Sequence, residues 1–335
     1  MGNRPGSLTD SKLSQTTIGV LYPGEMGSAF AKLLAENGFR VLTTLEGRSL
    51  RTQRLCHDAG LSVLDSVEQV LDCADIVISF VPPGAALQVA GNVAVLVKGA
   101  SRRLLYVDAN SISPVTAVKI SELLRLEHVD FVDASIRGLA SQLRQAGVLY
   151  LSGACAVDLS GQFGSIMRVK VVGDAPGQAS ALKMVLSCLP KGLIGLFSET
   201  MLFARKMGLL DEAMEICNEF YPGVMEVVKR MLPTYPQHAA RRSEELQELE
   251  ETMALNGVPP RVLGAVREVT SSLAKVDWPK DAEYHRWAIT EIIEEIYQSH
   301  VSHASKRPSA ASEGRRQPIT LGNVAEIQVF KPVGP

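Results

Sequence analysis

Residues 18–28 read IGVLYPGEMGS, an apolar run that ends in a glycine turn and leads into a helix-forming stretch. Strand, glycine turn and helix in that order build the loop that holds a dinucleotide pyrophosphate. The usual spacing of such a loop is G-x-G-x-x-G. Here Gly24 and Gly27 keep the second and third places, while Tyr22, followed by Pro23, takes the first. Gly24 lets the backbone approach a pyrophosphate, because a side chain there would collide with it. Gly27 lets the helix pack closely on the strand. The helix N-terminus, with Glu25 and Met26 in its first turn, offers unpaired N–H groups and a positive dipole end. Pro23 fixes its own φ, so a different turn replaces the one that the first glycine would make. The alternative is an ordinary strand–turn–helix that is packed closely for structural reasons.

The second check lies about twenty residues downstream, at the end of the second strand, where such sites recognise the adenosine ribose. That place holds LEGRSLRT, residues 45–52. Glu46 would accept both ribose hydroxyls and imply NAD. Arg48, Ser49, Arg51 and Thr52 would instead surround a 2′-phosphate, which arginine grips through paired, charge-assisted bonds. Two arginines and two hydroxyls outweigh one glutamate, and the cofactor expected is NADP(H). The alternative for RSLRTQR is a solvated first turn of a helix.

Working outward, the 335 residues are 46% hydrophobic and 21% charged, enough for two domains with their own cores. The formal net charge of −2 provides no basic field for a nucleic-acid backbone, so that class is set aside. Cys56, Cys73, Cys155, Cys188 and Cys217 are scattered, odd in number and never in C-x-x-C spacing. They read as reduced, mostly buried thiols of a cytoplasmic protein. The six histidines form no H-E-x-x-H or comparable pattern, and no metal is expected. The start, MGNRPGSLTDSK, lacks the apolar core of a signal peptide, and Gly6 stands where a myristoylation pattern wants Ser or Thr. The best candidate for a membrane span, residues 181–197, is interrupted by Lys183, Pro190 and Lys191, and no membrane partner is expected.

From Thr16 to about Val172 short β-rich runs (TIGVLY, FRVLTTL, LSVL, DIVISFV, RLLYVDA, VDFVDAS) alternate with helical stretches (SAFAKLLAENG, LRTQRLCHDAG, SVEQVLDCA, SPVTAVKISELLRLE). Alternation of this kind predicts βαβ units and a mostly parallel, doubly wound sheet. GVLYLSG and IMRVKVVG are candidate edge strands. After GDAPG (173–177) the strand signal fades, and residues 178–300 read as helices broken by YPG, LPTYPQ and NGVPPR. The expected organisation is a disordered lead at 1–14, a Rossmann α/β domain at 15–174, an all-α domain at 175–302 and a disordered tail at 303–335.

In order and spacing these motifs resemble the superfamily of 6-phosphogluconate dehydrogenase and β-hydroxyacid dehydrogenases. The match is nearest to a branch with a PGEMG-type glycine loop, and it runs over about residues 17–275. SFVPPG (79–84) follows the fourth strand, where the family places cofactor contacts, and implies that role for Val81, Pro82 and Pro83 beside residues 22–27. VDANSISP (107–114) is similar to the family's D-x-S-T-I-S-P substrate loop, with Asn110 for the first Ser and Ser111 for Thr. VDASIRG (132–138) resembles D-A-P-V-S-G-G, with the glycine pair reduced to Gly138. GDAPGQASALKMVL (173–186) is similar to the helix carrying the family's catalytic lysine, and the match falls on Lys183. The resemblance implies a Rossmann domain, a helical C-terminal domain, NADP(H), and a small-molecule substrate held between the domains. It also implies a homodimer formed through the helical domain, for which the apolar GLIGLFSETMLFARKMGLL is suited, as it equally suits an internal core.

Lys183 stands out independently as the one charge in ASALKMVLSCL. A helix this apolar is expected to be buried on most sides, and a buried ammonium takes a partner or a lowered pKa, which suits general acid–base work. A snorkelling lysine with its head in water is the alternative. Ser187 stands near where relatives carry a substrate-binding asparagine, and Pro190 is expected to interrupt the helix. Arg137 either clamps an anionic group or is a surface charge. Lys191 is either a second cation at the substrate or exposed. Arg241 and Arg242 either reach substrate or lie on a solvated face. The reading is an NADP(H)-dependent oxidoreductase acting on a small hydroxy acid or related carbonyl compound. An imine reductase on the same fold and a non-catalytic NADP(H)-binding sensor are the alternatives. Imine reductases usually lack the lysine, so Lys183 favours the first.

Overall fold

The computed structural model describes residues 16–126, 128–279 and 282–305. The expected lead and all but the first three residues of the expected tail lie outside that range. Residues 303–305 continue the last helix and so do not belong to a disordered tail.

Eight strands form one sheet in the order β3-β2-β1-β4-β5-β6-β7-β8. They are β1 (Thr17–Leu21), β2 (Arg40–Thr44), β3 (Ser62–Leu64), β4 (Ile76–Ser79), β5 (Leu104–Asp108), β6 (Val129–Arg137), β7 (Val148–Ser152) and β8 (Arg168–Gly173). Each neighbouring pair is parallel except β6 and β7. All five residues of β1 are buried. A strand buried on both faces reads as a continuous apolar run, and that is why TIGVL signals a central strand. The strand order reverses at β1 and β4, and the crevice outside their carboxyl ends is where open α/β sheets bind ligands. The two candidate edge strands both form, with β7 lying inside β8, which is the edge.

The sheet carries helices α1 (Glu25–Ala35), α2 (Leu50–Asp58), α3 (Val67–Cys73), α4 (Pro83–Leu96), α5 (Pro114–Leu123), the short α6 (Leu143–Ala146) and α7 (Ala156–Phe163). One core cluster packs Phe30, Phe39 and Phe163 against Ile18, Val20 and Ile78; the other surrounds Tyr106 with Val70, Ala90, Ile120 and Leu124. Phe30 and Phe163 meet edge to face at 5.9 Å, a favoured aromatic geometry.

Helix α8 (Gln178–Met207) runs unbroken through Pro190, so the expected interruption does not occur. The chain divides into two compact units inside this helix, between Ser187 and Cys188. By length and composition α8 is long and apolar enough to cross a membrane, yet both of the lysines that interrupt it take protein partners, Ser111 for Lys183 and Glu245 for Lys191. The expectation that it is buried on most sides fails: Val185, Leu189, Leu196 and Phe203 are exposed.

The second unit continues with α9 (Leu210–Phe220), α10 (Pro222–Met231), α11 (Tyr235–Leu255), α12 (Arg261–Leu273) and α13 (Ile289–Ser305). Its core gathers Ile194, Phe197 and Met201 of α8 with Met225, Val228, Tyr235, Leu273 and Ile292. Trp278 and Trp287 flank Tyr284 in edge contacts, so they serve packing. The five cysteines form no disulfide, and only Cys56 is buried. Cys73 is exposed and the other three are half-buried, which corrects the expectation of mostly buried thiols.

Candidate functional site

The glycine loop forms between β1 and α1. Gly24 is the N-cap residue of α1, with φ −74°, and no side chain caps the helix there. The first-turn amides of Glu25, Met26 and Gly27 therefore have no side-chain partner at the cap, the condition in which a helix N-terminus binds an anion. A Cβ added at Gly24 would meet nothing within 4 Å, so the space ahead of the helix is open. One added at Gly27 would lie 2.9 Å from Phe80 Cβ and 3.1 Å from Pro23 Cβ. The two glycines thus do different work, one keeping an approach clear and the other letting α1 close on the sheet. Ser28 locks the turn by donating to the Pro23 carbonyl at 3.0 Å. These features fit a dinucleotide pyrophosphate.

Tyr22 adopts φ +53° and is the single non-glycine residue with positive φ among the described residues. It therefore keeps the left-handed conformation that a glycine would supply at this place. The guanidinium of Arg48 lies 4.3 Å above its ring centroid. Arg48 Nε also donates to the Glu46 carbonyl at 3.1 Å. Ser49 caps α2, accepting from the Thr52 amide at 3.3 Å, and its hydroxyl meets Thr52 Oγ1 at 3.2 Å. Arg51, exposed, pairs with Glu25 at 3.2 Å. Arg48 is accordingly the arginine held at the end of β2, whereas Arg51 is engaged by the glycine loop itself. A hollow of about 290 Å³ beside them is lined by Tyr22, Glu46, Val67, Val89 and Asn92, among others. Val67, Val89 and Asn92 were not singled out from sequence, because they face the hollow from two helices whose motifs carry no ligand signal.

At the carboxyl ends of β4 and β5, hydrogen bonds gather Ser79, Val81 and Asp108 around Asn110. The Asn110 carbonyl accepts from the Val81 amide at 2.6 Å, and its NH₂ group donates to Ser79 Oγ at 3.1 Å and to Asp108 Oδ2 at 3.0 Å. Asn110 is 3% exposed. Its side chain braces the two loops, including the Val81–Pro82–Pro83 entry into α4, in place of the substrate contact expected from its position in the motif. Asp108, also missed from sequence, is fully buried; burial pushes its carboxyl up to about 7, against the opposing hydrogen bonds from Asn110.

Beside Asn110, Ser111 accepts a hydrogen bond from Lys183 Nζ at 2.6 Å. These two residues come from stretches 72 positions apart, both singled out beforehand. Lys183 is half-buried, and its ammonium lies on a hydroxyl rather than extending only toward water. Gly138 has φ +136°, and a Cβ there would be 3.1 Å from Gly147 Cα, so backbone packing explains it. Arg137 is exposed at the end of β6. Ser187 donates to the Met184 carbonyl at 2.9 Å within its own helix.

In the helical unit Lys191 is 6% exposed and pairs with Glu245 at 2.9 Å, so it is neither exposed nor a spare cation. Burial raises the Glu245 carboxyl, but Lys191, Arg241 and Arg242 hold it below the usual carboxylate range. Arg242 packs 4.2 Å over the Tyr235 ring and donates to Thr234 Oγ1 at 2.7 Å; it is not on a solvated face.

A doubly wound sheet with an open glycine loop at its switch point, where Lys183 of α8 meets Ser111 on the loop after β5, defines a dinucleotide-binding domain. Comparison with known proteins agrees. Residues 17–160 match the NAD binding domain of 6-phosphogluconate dehydrogenase, and residues 204–273 match a domain of unknown function, DUF1932. The chain is 30% identical over 255 residues to an uncharacterised 28.5 kDa protein in the 7S RNA 5′ region of Methanothermus fervidus, covering 75% of this chain and 96% of that one. Among solved structures, the conserved protein MTH1747 of unknown function, described as structurally similar to 3-hydroxyacid dehydrogenases, is 31% identical with a TM-score of 0.61, covering 77% of this chain and 96% of that one. Glyoxylate/succinic semialdehyde reductase 1 of Arabidopsis thaliana is 24% identical over 204 residues, 59% of this chain and 69% of that enzyme. The chain belongs to the superfamily of 6-phosphogluconate dehydrogenase and β-hydroxyacid dehydrogenases, as its motifs implied, and its N-terminal domain is of the NAD(P)-binding kind.

Proposed function

We propose that the protein is an NADP(H)-dependent oxidoreductase that interconverts a small hydroxy acid, or a related carbonyl compound, with its oxidised form. The observation that carries this reading is the 2.6 Å hydrogen bond from Lys183 Nζ to Ser111 Oγ. In support, the Lys183 ammonium reaches from α8 to a loop that Asn110 fixes by three hydrogen bonds, and a fixed partner favours a fixed position for that group. A bound nicotinamide dinucleotide supplies hydride transfer. Residues 22–27 and the first turn of α1 hold its pyrophosphate, and Arg48 meets the 2′-phosphate. Lys183 Nζ takes the proton from the substrate hydroxyl on oxidation and returns it to the carbonyl oxygen on reduction, with Ser111 Oγ orienting the amine.

Two measurements test this. NADPH binds roughly tenfold tighter than NADH, a difference of about 1.4 kcal/mol. Lys183→Ala lowers kcat about 10²–10⁴-fold, the usual worth of a general acid–base group, and leaves NADPH affinity unchanged. The substrate class is found by following NADPH absorbance across hydroxy acids, keto acids, aldehydes and cyclic imines. Turnover of imines alone selects the imine-reductase alternative, and silence across the panel selects the sensor.

A further inference from the structure

The glycine loop breaks its own pattern at one place, Tyr22. An aromatic side chain in the left-handed region is a strained choice, and such strain persists only where the surroundings support it. Tyr22 holds φ +53° there. Its ring forms the surface under the Arg48 guanidinium, 4.3 Å from the centroid, a cation–π arrangement. Arg48 is gripped further by its backbone: its amide donates to Leu45 at 3.0 Å and its Nε to Glu46 at 3.1 Å. Among the described residues its guanidinium donates only through Nε, which leaves the Nη pair for another acceptor. The neighbouring Arg51 is already engaged with Glu25. The 290 Å³ hollow that Tyr22 and Glu46 line lies alongside.

We propose that Tyr22 is a specificity-determining positioning residue, whose ring holds the Arg48 guanidinium ready for the 2′-phosphate of the adenosine ribose. The loop gives up its first glycine, accepts a strained backbone, and gains a fixed platform for the one arginine that distinguishes the phosphorylated dinucleotide. This inference rests on the reading of Arg48 as the 2′-phosphate ligand.

The test is a set of equilibrium titrations of NADPH and NADH, followed by nicotinamide fluorescence, on the full chain and four variants. Tyr22→Phe keeps the ring and retains the wild-type preference for NADPH. Tyr22→Gly accepts the turn without strain, so its thermal midpoint is equal to or above that of the wild type, and its preference for NADPH over NADH falls at least fivefold. Tyr22→Asn, which also tolerates the left-handed region, behaves as the glycine variant does and covers the case in which that variant fails to fold. Arg48→Ala separates the two readings. If it abolishes the preference while Tyr22→Gly and Tyr22→Asn retain it, the role of Tyr22 is overturned and that of Arg48 stands. If Arg48→Ala retains the preference, or the wild type has none, both fall.

Discussion

Asp108 is buried at the end of β5, next to the buried Tyr106 ring and within electrostatic reach of Asp133, with Asn110 as its hydrogen-bond donor. Burial lifts its carboxyl from an ordinary 3.8 to about 7. The folded state therefore binds a proton that the unfolded chain has lost over the window between those values. The stabilisation is complete below the unfolded pKa, declines as pH rises through the window, and is gone above about 7. The slope from one group is at most about 1.4 kcal/mol per pH unit. Urea denaturation at pH 5, 6, 7 and 8 should show the wild type losing stability relative to Asp108→Asn up to pH 7 and running parallel to it above. Parallel curves throughout would mean that the carboxyl is ionised in the fold. Sequence reasoning put Asn110 on the substrate and passed over Asp108. Both sit in one VDAN motif, and only coordinates show that the amide is spent on Val81, Ser79 and Asp108. Lys183 and Ser111, which meet in the fold, were singled out for separate reasons, the first as a lone charge in an apolar stretch and the second by its place in a loop that resembles the family's substrate motif.

Helix α1 turns on two glycines that stand in different surroundings. Gly27→Ala drives a methyl to within 2.9 Å of Phe80 Cβ, an atom close to the backbone that cannot swing away. Overpacking of this sort costs about 1–3 kcal/mol, and the variant should lose both stability and NADPH affinity. Gly24→Ala meets open space at an ordinary φ. Its folding free energy should fall by about 0.5–1 kcal/mol, since glycine is preferred over alanine at an N-cap. Its NADPH affinity should fall about tenfold or more, because the methyl projects where the backbone must approach pyrophosphate. Urea denaturation and fluorescence titration on the same preparations separate the two; full NADPH affinity in Gly24→Ala would remove the loop from the site. The sheet's strands were legible because each is a short apolar run between turn residues. Helix α4 was not, since PGAALQVAGNVAVL is nearly uniform in polarity: Ala86, Ala90 and Val93 face the core while Leu87, Val95 and Leu96 face out. Without a polar side, helical periodicity has nothing to contrast with. Pro190 misled for the opposite reason. The local signal to stop was clear, but one lost backbone bond is outweighed where Ile194, Phe197 and Met201 anchor the following turns in the helical core.

The stretch GLIGLFSETMLFARKMGLL suits an internal core and a dimer interface equally when read as letters. Folding divides it. Ile194, Phe197 and Met201 are buried, while Leu196 and Phe203, together with Leu189 before them, are exposed at 64%, 67% and 74%. These three recur every seven residues and so lie along one face of α8. Ile216 and Phe220 on α9 are exposed as well. A repeated apolar seam left in water is what a second helix covers in coiled-coil-like packing. We expect a homodimer joined along this seam, with a sedimentation mass twice the 36.2 kDa of one chain. Phe203→Glu places a charge on the seam and should shift the mass toward the monomer. The glycine loop, Arg48, Ser111 and Lys183 all belong to the other compact unit, so the same variant should titrate with NADPH as the wild type does. A dimer that survives Phe203→Glu would rule out this face of α8 as the interface. A monomeric variant that also loses NADPH would show that the nucleotide site depends on the assembled pair.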